Sequence, residues 1–246
     1  MMYYSPRERR QRLVRALLAF LVTLGVFVLI MQIDHPIWRA LILPPHSWLL
    51  EEGENKVTYT QGPSEWMRSR DWYQVLRQMG SLFTWALIAG AMLLHDYGMR
   101  GRGWSHAFAW WRRGVLLLVA PLLAGLAAEV LRVILRRQRP GLEGIHEWGW
   151  PWGNAAWEGS WGLPSSHAAV AFAGAFMLIR YFPSVWPVVV PWAVGCGITR
   201  LIVGAHFTSD VFAGAAVGFF VVHILKRTFG ASPFRSRLPG PTISFE

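Results

Sequence analysis

The stretch Thr199-Arg200-Leu201-Ile202-Val203-Gly204-Ala205-His206-Phe207-Thr208-Ser209-Asp210 sets an arginine, a histidine and an aspartate between two long apolar runs. An imidazole followed four residues later by a carboxylate shares one face with it if the chain is helical there. Asp210 could then hold one ring nitrogen of His206 and leave the other free to react. That is nucleophile chemistry. The alternative is that Arg200, His206 and Asp210 are interfacial polar groups satisfying one another at helix ends.

Two upstream stretches carry matching chemistry. Pro164-Ser165-Ser166-His167 opens a small-residue apolar run from Ala168 to Ile179 and reads as a helix start. Serine caps helices well, and the free N–H groups with the helix dipole make such a start an anion site, here beside a second histidine. A plain capped helix with His167 facing water is the simpler reading of that stretch taken singly. Arg132-Val133-Ile134-Leu135-Arg136-Arg137-Gln138-Arg139-Pro140 closes the apolar run that begins at Gly114. Pro140 is expected to stop the helix. Arg132, Arg136 and Arg139 fall at i, i+4 and i+7, a guanidinium stripe suited to phosphate oxygens. Arg136 and Arg137 also fit as interfacial, topology-setting cations, and that reading is preferred for both. Arg132 lies a turn further into the apolar run, with Glu129 three residues before it as an expected ion-pair partner, and an intramembrane charge of that kind marks a functional site.

In this order the three stretches resemble the signature motifs of the phosphatidic acid phosphatase type 2 superfamily, which also includes the vanadium haloperoxidases. The family pattern is Lys-x6-Arg-Pro, then Pro-Ser-Gly-His, then Ser-Arg-x5-His-x3-Asp. Here the matches are Arg132 to Arg139-Pro140, Pro164-Ser165-Ser166-His167, and Thr199-Arg200 through His206 to Asp210. All spacings agree. Arginine replaces the first lysine, Ser166 replaces glycine and Thr199 replaces serine; each change keeps charge, a donor or small size. The resemblance implies that His206 attacks phosphorus in line, that Asp210 orients it, and that His167 protonates the departing lipid oxygen and later activates water. It also implies that no metal cofactor is needed.

The elements that must position these residues are apolar. The 246 residues are 53% hydrophobic, with 15 tryptophans and only 15% charged residues, which is a membrane composition. A formal net charge of +10 could suggest nucleic acid as a partner. The basic residues instead cluster beside apolar segments without a nucleic-acid motif, so topology explains them and no nucleic-acid partner is expected. The single Cys196 allows no internal disulfide and no cysteine metal cluster. The histidines His35, His46, His95, His106, His146 and His223 show no metal-ligand spacing, and His146 reads as a loop residue.

The expected fold is all-α: a polytopic bundle of six transmembrane helices in one domain, residues 1–246, without repeats. An uncleaved first span runs from Leu13 to about Ile33 after a basic tail, residues 1–12, placed in the cytoplasm. Residues 34–75 read as an external loop with an interfacial helix. Spans follow at about Leu76–Leu94, Gly114–Leu135, His167–Tyr181, Val185–Ile202 and Asp210–Leu225. The basic connector with Arg100, Arg102, Arg112 and Arg113 and the basic tail, residues 226–246, lie inside. This count brings all three motifs to the extracytoplasmic face. Between the first two motifs, Trp148, Trp150, Trp152 and Trp157 suit a headgroup-level aromatic belt.

Phosphoryl transfer spreads negative charge over equatorial oxygens, which fixed guanidiniums and helix N–H groups stabilise without a metal. Arg132, Arg139 and Arg200 with Ser165 and Ser166 would form that cradle. The expected function is therefore a metal-independent membrane phosphatase acting on a lipid monophosphate or a lipid or isoprenyl diphosphate, with membrane lipids as its surroundings. A lipid phosphotransferase would use the same phosphohistidine. A vanadate-dependent peroxidase would share the motifs, but those enzymes are typically soluble. A transporter would hold its charges mid-span, whereas these cluster at span ends. The motifs read phosphate alone, so they leave the lipid and the oligomeric state open.

Overall fold

The computed structural model describes residues 5–42, 51–53, 56–58, 67–99, 110–140, 146–149 and 161–229. Several expectations lie outside the described residues: the connector arginines Arg100 and Arg102, the tryptophans Trp150, Trp152 and Trp157, and Arg235 and Arg237 of the basic tail. Among the described residues, seven helices of eight residues or more run in chain order: α1 (Pro6–Ile42), α2 (Asp71–Gln78), α3 (Leu82–Met99), α4 (Trp110–Leu135), α5 (Ser166–Tyr181), α6 (Trp186–Ile202) and α7 (Thr208–Phe229). A 3-10 turn, Pro183–Val185, joins α5 to α6. Two three-residue strands, β1 (Glu51–Gly53) and β2 (Lys56–Thr58), pair antiparallel.

The first helix differs from its expected limits. It continues 37 residues to Ile42, about 55 Å at 1.5 Å per residue, so the segment read as an external loop begins as helix. The cause is Asp34. Its charge resembles the end of an apolar run, yet it is 1% exposed and accepts hydrogen bonds from the Ser209 backbone N–H at 2.8 Å and from Ser209 Oγ–H. A satisfied buried carboxylate does not have to leave the helix. Most of the surface from Leu13 to Ile33 is exposed and apolar, whereas Asp34 and Trp38 are buried, so α1 docks on α7 and α6 through its later half.

The expected second span is two helices, α2 and α3, bent by 63° at a break of three residues. The indole N–H of Trp85 donates to the Met79 carbonyl at 2.9 Å across this bend. Gly80 at the bend is tightly placed: a Cβ there would sit 3.0 Å from the His167 Cβ, from the His167 carbonyl and from Cys196 Sγ.

At the centre is α5, packed against α4, α6 and α7. Its alanines, Ala168, Ala169, Ala171, Ala173 and Ala175, are buried, because small side chains on every face let three neighbours approach its backbone. The contact with α7 is closest. A Cβ on Gly214 would meet the Ser165 carbonyl at 2.4 Å, and one on Gly218 would meet the Ala173 nitrogen at 2.8 Å.

Among the described residues, four helical segments are long and apolar enough to cross a membrane: Pro6–Leu41, Trp111–Leu135, Pro183–Ile202 and Thr208–Phe229. The bent α2–α3 pair makes five if it counts as one span. The segment expected as the fourth span, α5, has 16 residues, about 24 Å, and is not among these candidates. At the end of the bundle where α4 begins, Arg113 is buried against Asp96 in α3, with Nε to Oδ2 at 2.9 Å. The guanidinium of Arg112 reaches the Phe229 carbonyl at the close of α7. Arg113 was expected in the basic connector before α4. It is instead half of an ion pair that fastens α3 to α4.

Candidate functional site

The three polar stretches meet at the opposite end of the bundle. The first departs from its expected shape, because α4 ends at Leu135, five residues before Pro140. Arg136 has φ 51°, a left-handed residue of the kind that closes helices, and its N–H still reaches the Arg132 carbonyl at 3.0 Å. The next residues are extended: Arg137 bridges Trp148 and Gln138 bridges Trp161. Arg132, Arg136 and Arg139 therefore form no helical stripe. Arg132 stays on α4, where it pairs with Glu129 at 2.9 Å as expected. It also donates to Ser166 Oγ at 3.0 Å and to the Pro164 carbonyl at 3.3 Å. Arg139 is exposed, with Nε 3.4 Å from the Trp161 carbonyl.

Arg137 is the larger correction. Expected at the interface, it has no exposed surface. Its guanidinium pairs with Asp210, donates to Ser209 Oγ at 2.7 Å and lies 3.9 Å from Asp34 Oδ2. It also stands over the Phe207 and Trp148 rings, 5.2 and 5.8 Å from their centroids. The chain turns inward at Arg136, and two carboxylates make the interior habitable for a cation.

In the second stretch Ser165 occupies the N-cap position of α5 with extended φ and ψ, but its side chain makes no capping bond. Its backbone N–H donates to the Asp210 carbonyl at 3.0 Å, which joins the second stretch to the third. Ser166 and His167 are half-buried, with His167 against the Gly80 bend.

In the third stretch α6 ends at Ile202, and Gly204, at φ 66°, turns the chain, a conformation that suits glycine. His206 sits in this turn and not on a helix, so the expected shared helical face is absent. Proximity survives: Nδ1 of His206 is 3.6 Å from Asp210 Oδ2, an ion-pair distance too long for a hydrogen bond. Asp210 Oδ2 instead accepts the Phe207 N–H at 2.8 Å, the reciprocal half of a capping box for α7. His206 is 2% exposed. Burial pushes its pKa below the ordinary imidazole value; the Asp210 carboxylate opposes this, and Arg200 and Arg139 add to it. A neutral imidazole with Nδ1 toward a carboxylate keeps Nε2 available as a nucleophile.

Buried polar atoms unpaired within the protein include Arg132 Nε, Arg200 Nε, Ser165 Oγ and His206 Nδ1. Buried polar groups are ordinarily bonded, and two guanidinium N–H groups with a hydroxyl beside a histidine match the donor set that an oxyanion accepts. Sequence reasoning missed Arg137, Asp34, Ser209 and His146. His146, taken as a loop residue, has Nε2 3.2 Å from Asp34 Oδ2 and its ring 4.5 Å from that of Phe207. The available signal was Asp34 itself, a charge at the end of an apolar helix.

Fold and site together define a helical membrane protein with a buried histidine and an arginine-rich polar cluster at one end of its bundle. Residues 113–233 match the model of the PAP2 superfamily. The lipid A 1-phosphatase of Rhizobium etli is 37% identical over 112 residues, which cover 43% of this chain and 45% of the relative. The lipid A 4'-phosphatase of Bacteroides thetaiotaomicron is 42% identical over 64 residues, 25% of this chain and 28% of the relative. The matched stretches thus span less than half the length of these relatives. A solved transmembrane PAP2-type phosphatidylglycerolphosphate phosphatase from Bacillus subtilis shares the fold. Its TM-score is 0.52 at 22% identity, over 85% of this chain and 92% of that one.

Proposed function

We propose that this protein is a membrane lipid phosphatase that works through a phosphohistidine on His206. The observation that carries the reading is that Arg132, bonded to Pro164 and Ser166, Ser165, bonded to Asp210, and Arg200, bonded to Ala205, each keep a buried side-chain atom without a partner. Arg139, exposed at the same end, completes the cradle with Ser166. Nε2 of His206 attacks phosphorus, and the lipid oxygen leaves with a proton from His167. Water, deprotonated by His167, then attacks the phosphohistidine, releasing inorganic phosphate and restoring His206. The guanidiniums supply charge stabilisation throughout, so the mechanism needs no metal.

The site faces the extracytoplasmic side in this reading, with six crossings when α5 counts as one, and the whole chain acts as a single domain. Support comes from charge: the start of α1, with Arg7 and Arg10, lies at the far end of that helix from Asp34, and Arg112, Lys226 and Arg227 lie at the end opposite the site. Basic residues favour the cytoplasm. The relatives make phosphorylated lipid A the first substrate to test. The experiment is phosphate release in mixed micelles from phosphorylated lipid A, phosphatidic acid, phosphatidylglycerophosphate and an isoprenyl diphosphate, with EDTA and with vanadate. Release from at least one lipid, unchanged by EDTA and inhibited by vanadate, is expected. No release from any of them overturns hydrolysis, and loss on chelation that magnesium restores overturns the metal-free mechanism.

A further inference from the structure

We infer that Asp34 and Arg137 are positioning residues for the proposed nucleophile, a buried ion pair locked by Ser209 that holds Asp210 fixed behind His206. The inference rests on the reading of His206 as nucleophile and deepens it.

The geometry runs in one connected line. Asp34 on α1 accepts both the backbone N–H and the hydroxyl of Ser209. The Ser209 hydroxyl oxygen accepts from Arg137 at 2.7 Å, and the same Arg137 nitrogen donates to Asp210 Oδ1. Asp210 Oδ2 is held by the Phe207 N–H and lies 3.6 Å from His206 Nδ1. Asp34, Arg137, Ser209 and Asp210 are all at most 1% exposed. A carboxylate so buried needs a cation and donors beside it, and Arg137 with the Phe207 N–H supplies them to Asp210.

Asp34 completes the charge balance. A lone Arg137–Asp210 pair would be neutral and would offer the imidazole little. Two carboxylates around one guanidinium leave one net negative charge. That charge matches the positive charge that grows on the ring as Nε2 bonds to phosphorus. Asp34 is an acceptor, and Arg137, with no exposed surface, turns Nη2 to Asp210 and Ser209 while its Nε and Nη1 make no hydrogen bond. Their effect on the reaction must pass through Asp210 and His206, which makes them positioning residues.

Other charges facing this region are Asp210 from α7, Arg200 from α6, Arg139 from the segment after α4, and His167 from α5, itself near Arg132. Asp34 of α1 lines the same small crevice as His206. His146 lies 3.2 Å from Asp34, so each variant is also made in a His146→Gln background.

The test measures the pre-steady-state burst of p-nitrophenol from p-nitrophenyl phosphate, with acid-labile phosphate on the protein, across pH. The full chain in detergent is used as Asp34→Asn, Arg137→Gln and Arg137→Lys. The substrate's own ionisation is common to all and cancels in the comparison with wild type. Removing the Asp34 charge disfavours the imidazolium, so the acid limb of the burst should move down by about half a unit or more. Removing the Arg137 charge should move it up, and Arg137→Lys should restore it toward wild type. Burst rates should fall while the half-saturating substrate concentration stays unchanged. General structural damage does not move the limb in opposite directions.

An acid limb unmoved in both Asp34→Asn and Arg137→Gln overturns the inference, as does a rise in half-saturation equal to the fall in rate. Loss of the monodisperse folded protein in both variants makes the cluster a structural anchor only, and overturns it too. A wild-type protein that forms no acid-labile phosphate removes the nucleophile assignment itself, a different failure from an unmoved limb in a working wild-type burst.

Discussion

His206 rests in surroundings that make the neutral imidazole its ordinary form. Burial removes the hydration that an imidazolium needs, and Arg200 and Arg139 repel it, against the attraction of Asp210. A pKa lowered in this way keeps the nucleophile unprotonated as pH falls, and activity is lost only when pH drops through the lowered value. The acid limb of phosphoenzyme formation should therefore lie below about 6.5, the unperturbed imidazole value, as read from burst rates on an aryl phosphate. A limb above that value contradicts the burial argument. The two histidines separate on the same substrate, because a phenolate leaves without a proton. His167→Ala should still form the phosphoenzyme and accumulate it, while His206→Ala forms none; the reverse pattern exchanges their roles. Arg200→Ala should lower turnover by roughly a hundredfold or more, the cost of one oxyanion donor, as measured by steady-state phosphate release.

At the scale of elements, the close contacts of α5 decide whether these residues meet. Gly214 lies against the Ser165 carbonyl, so Gly214→Val forces α7 from α5 just where Ser165 meets Asp210. Gly174 lies against the Trp85 ring, where a Cβ would fall 2.0 Å from an indole carbon, in the hydrophobic core and outside the catalytic stretches. Gly174→Ala should lower stability by about 1–3 kcal/mol through overpacking, with residual turnover per folded molecule largely kept. Gly214→Val should abolish turnover even in the fraction that stays folded. Thermal unfolding in detergent, paired with activity per folded molecule, distinguishes them. Equal losses per folded molecule would mean that the α5–α7 contact has no special bearing on the site.

For the whole molecule the question is sidedness, since a lipid phosphatase can act only on the leaflet that its site faces. Glu147 is exposed beside the site and Lys226 is exposed at the other end. In a Cys196→Ala background, Glu147→Cys should react with an impermeant thiol reagent on intact cells. Lys226→Cys should react only after permeabilisation. The opposite pattern inverts the orientation and moves the substrate to the inner leaflet.

The sequence by itself determined the class of chemistry. Arg132, Arg139, Ser165, His167, Arg200, His206 and Asp210 are spaced within three short stretches, and short-range spacing survives whatever the local backbone does. His206 and Asp210 stay close although the helix that was to align them is absent. The apolar runs likewise announced a helical membrane protein, because a bilayer demands about 20 apolar residues wherever a helix crosses it. Other features had no local signal. Helix ends are set by who satisfies their charges, so α1 passes through Asp34 because Ser209, 175 residues later, receives that carboxylate. Arg137 looks like its neighbours Arg136 and Arg139, and only the left-handed turn at Arg136 and the two distant carboxylates bring it inside. Partners for a buried charge come from anywhere along the chain, so which arginine stays at the surface and which one pairs with Asp210 was decided by the tertiary structure alone.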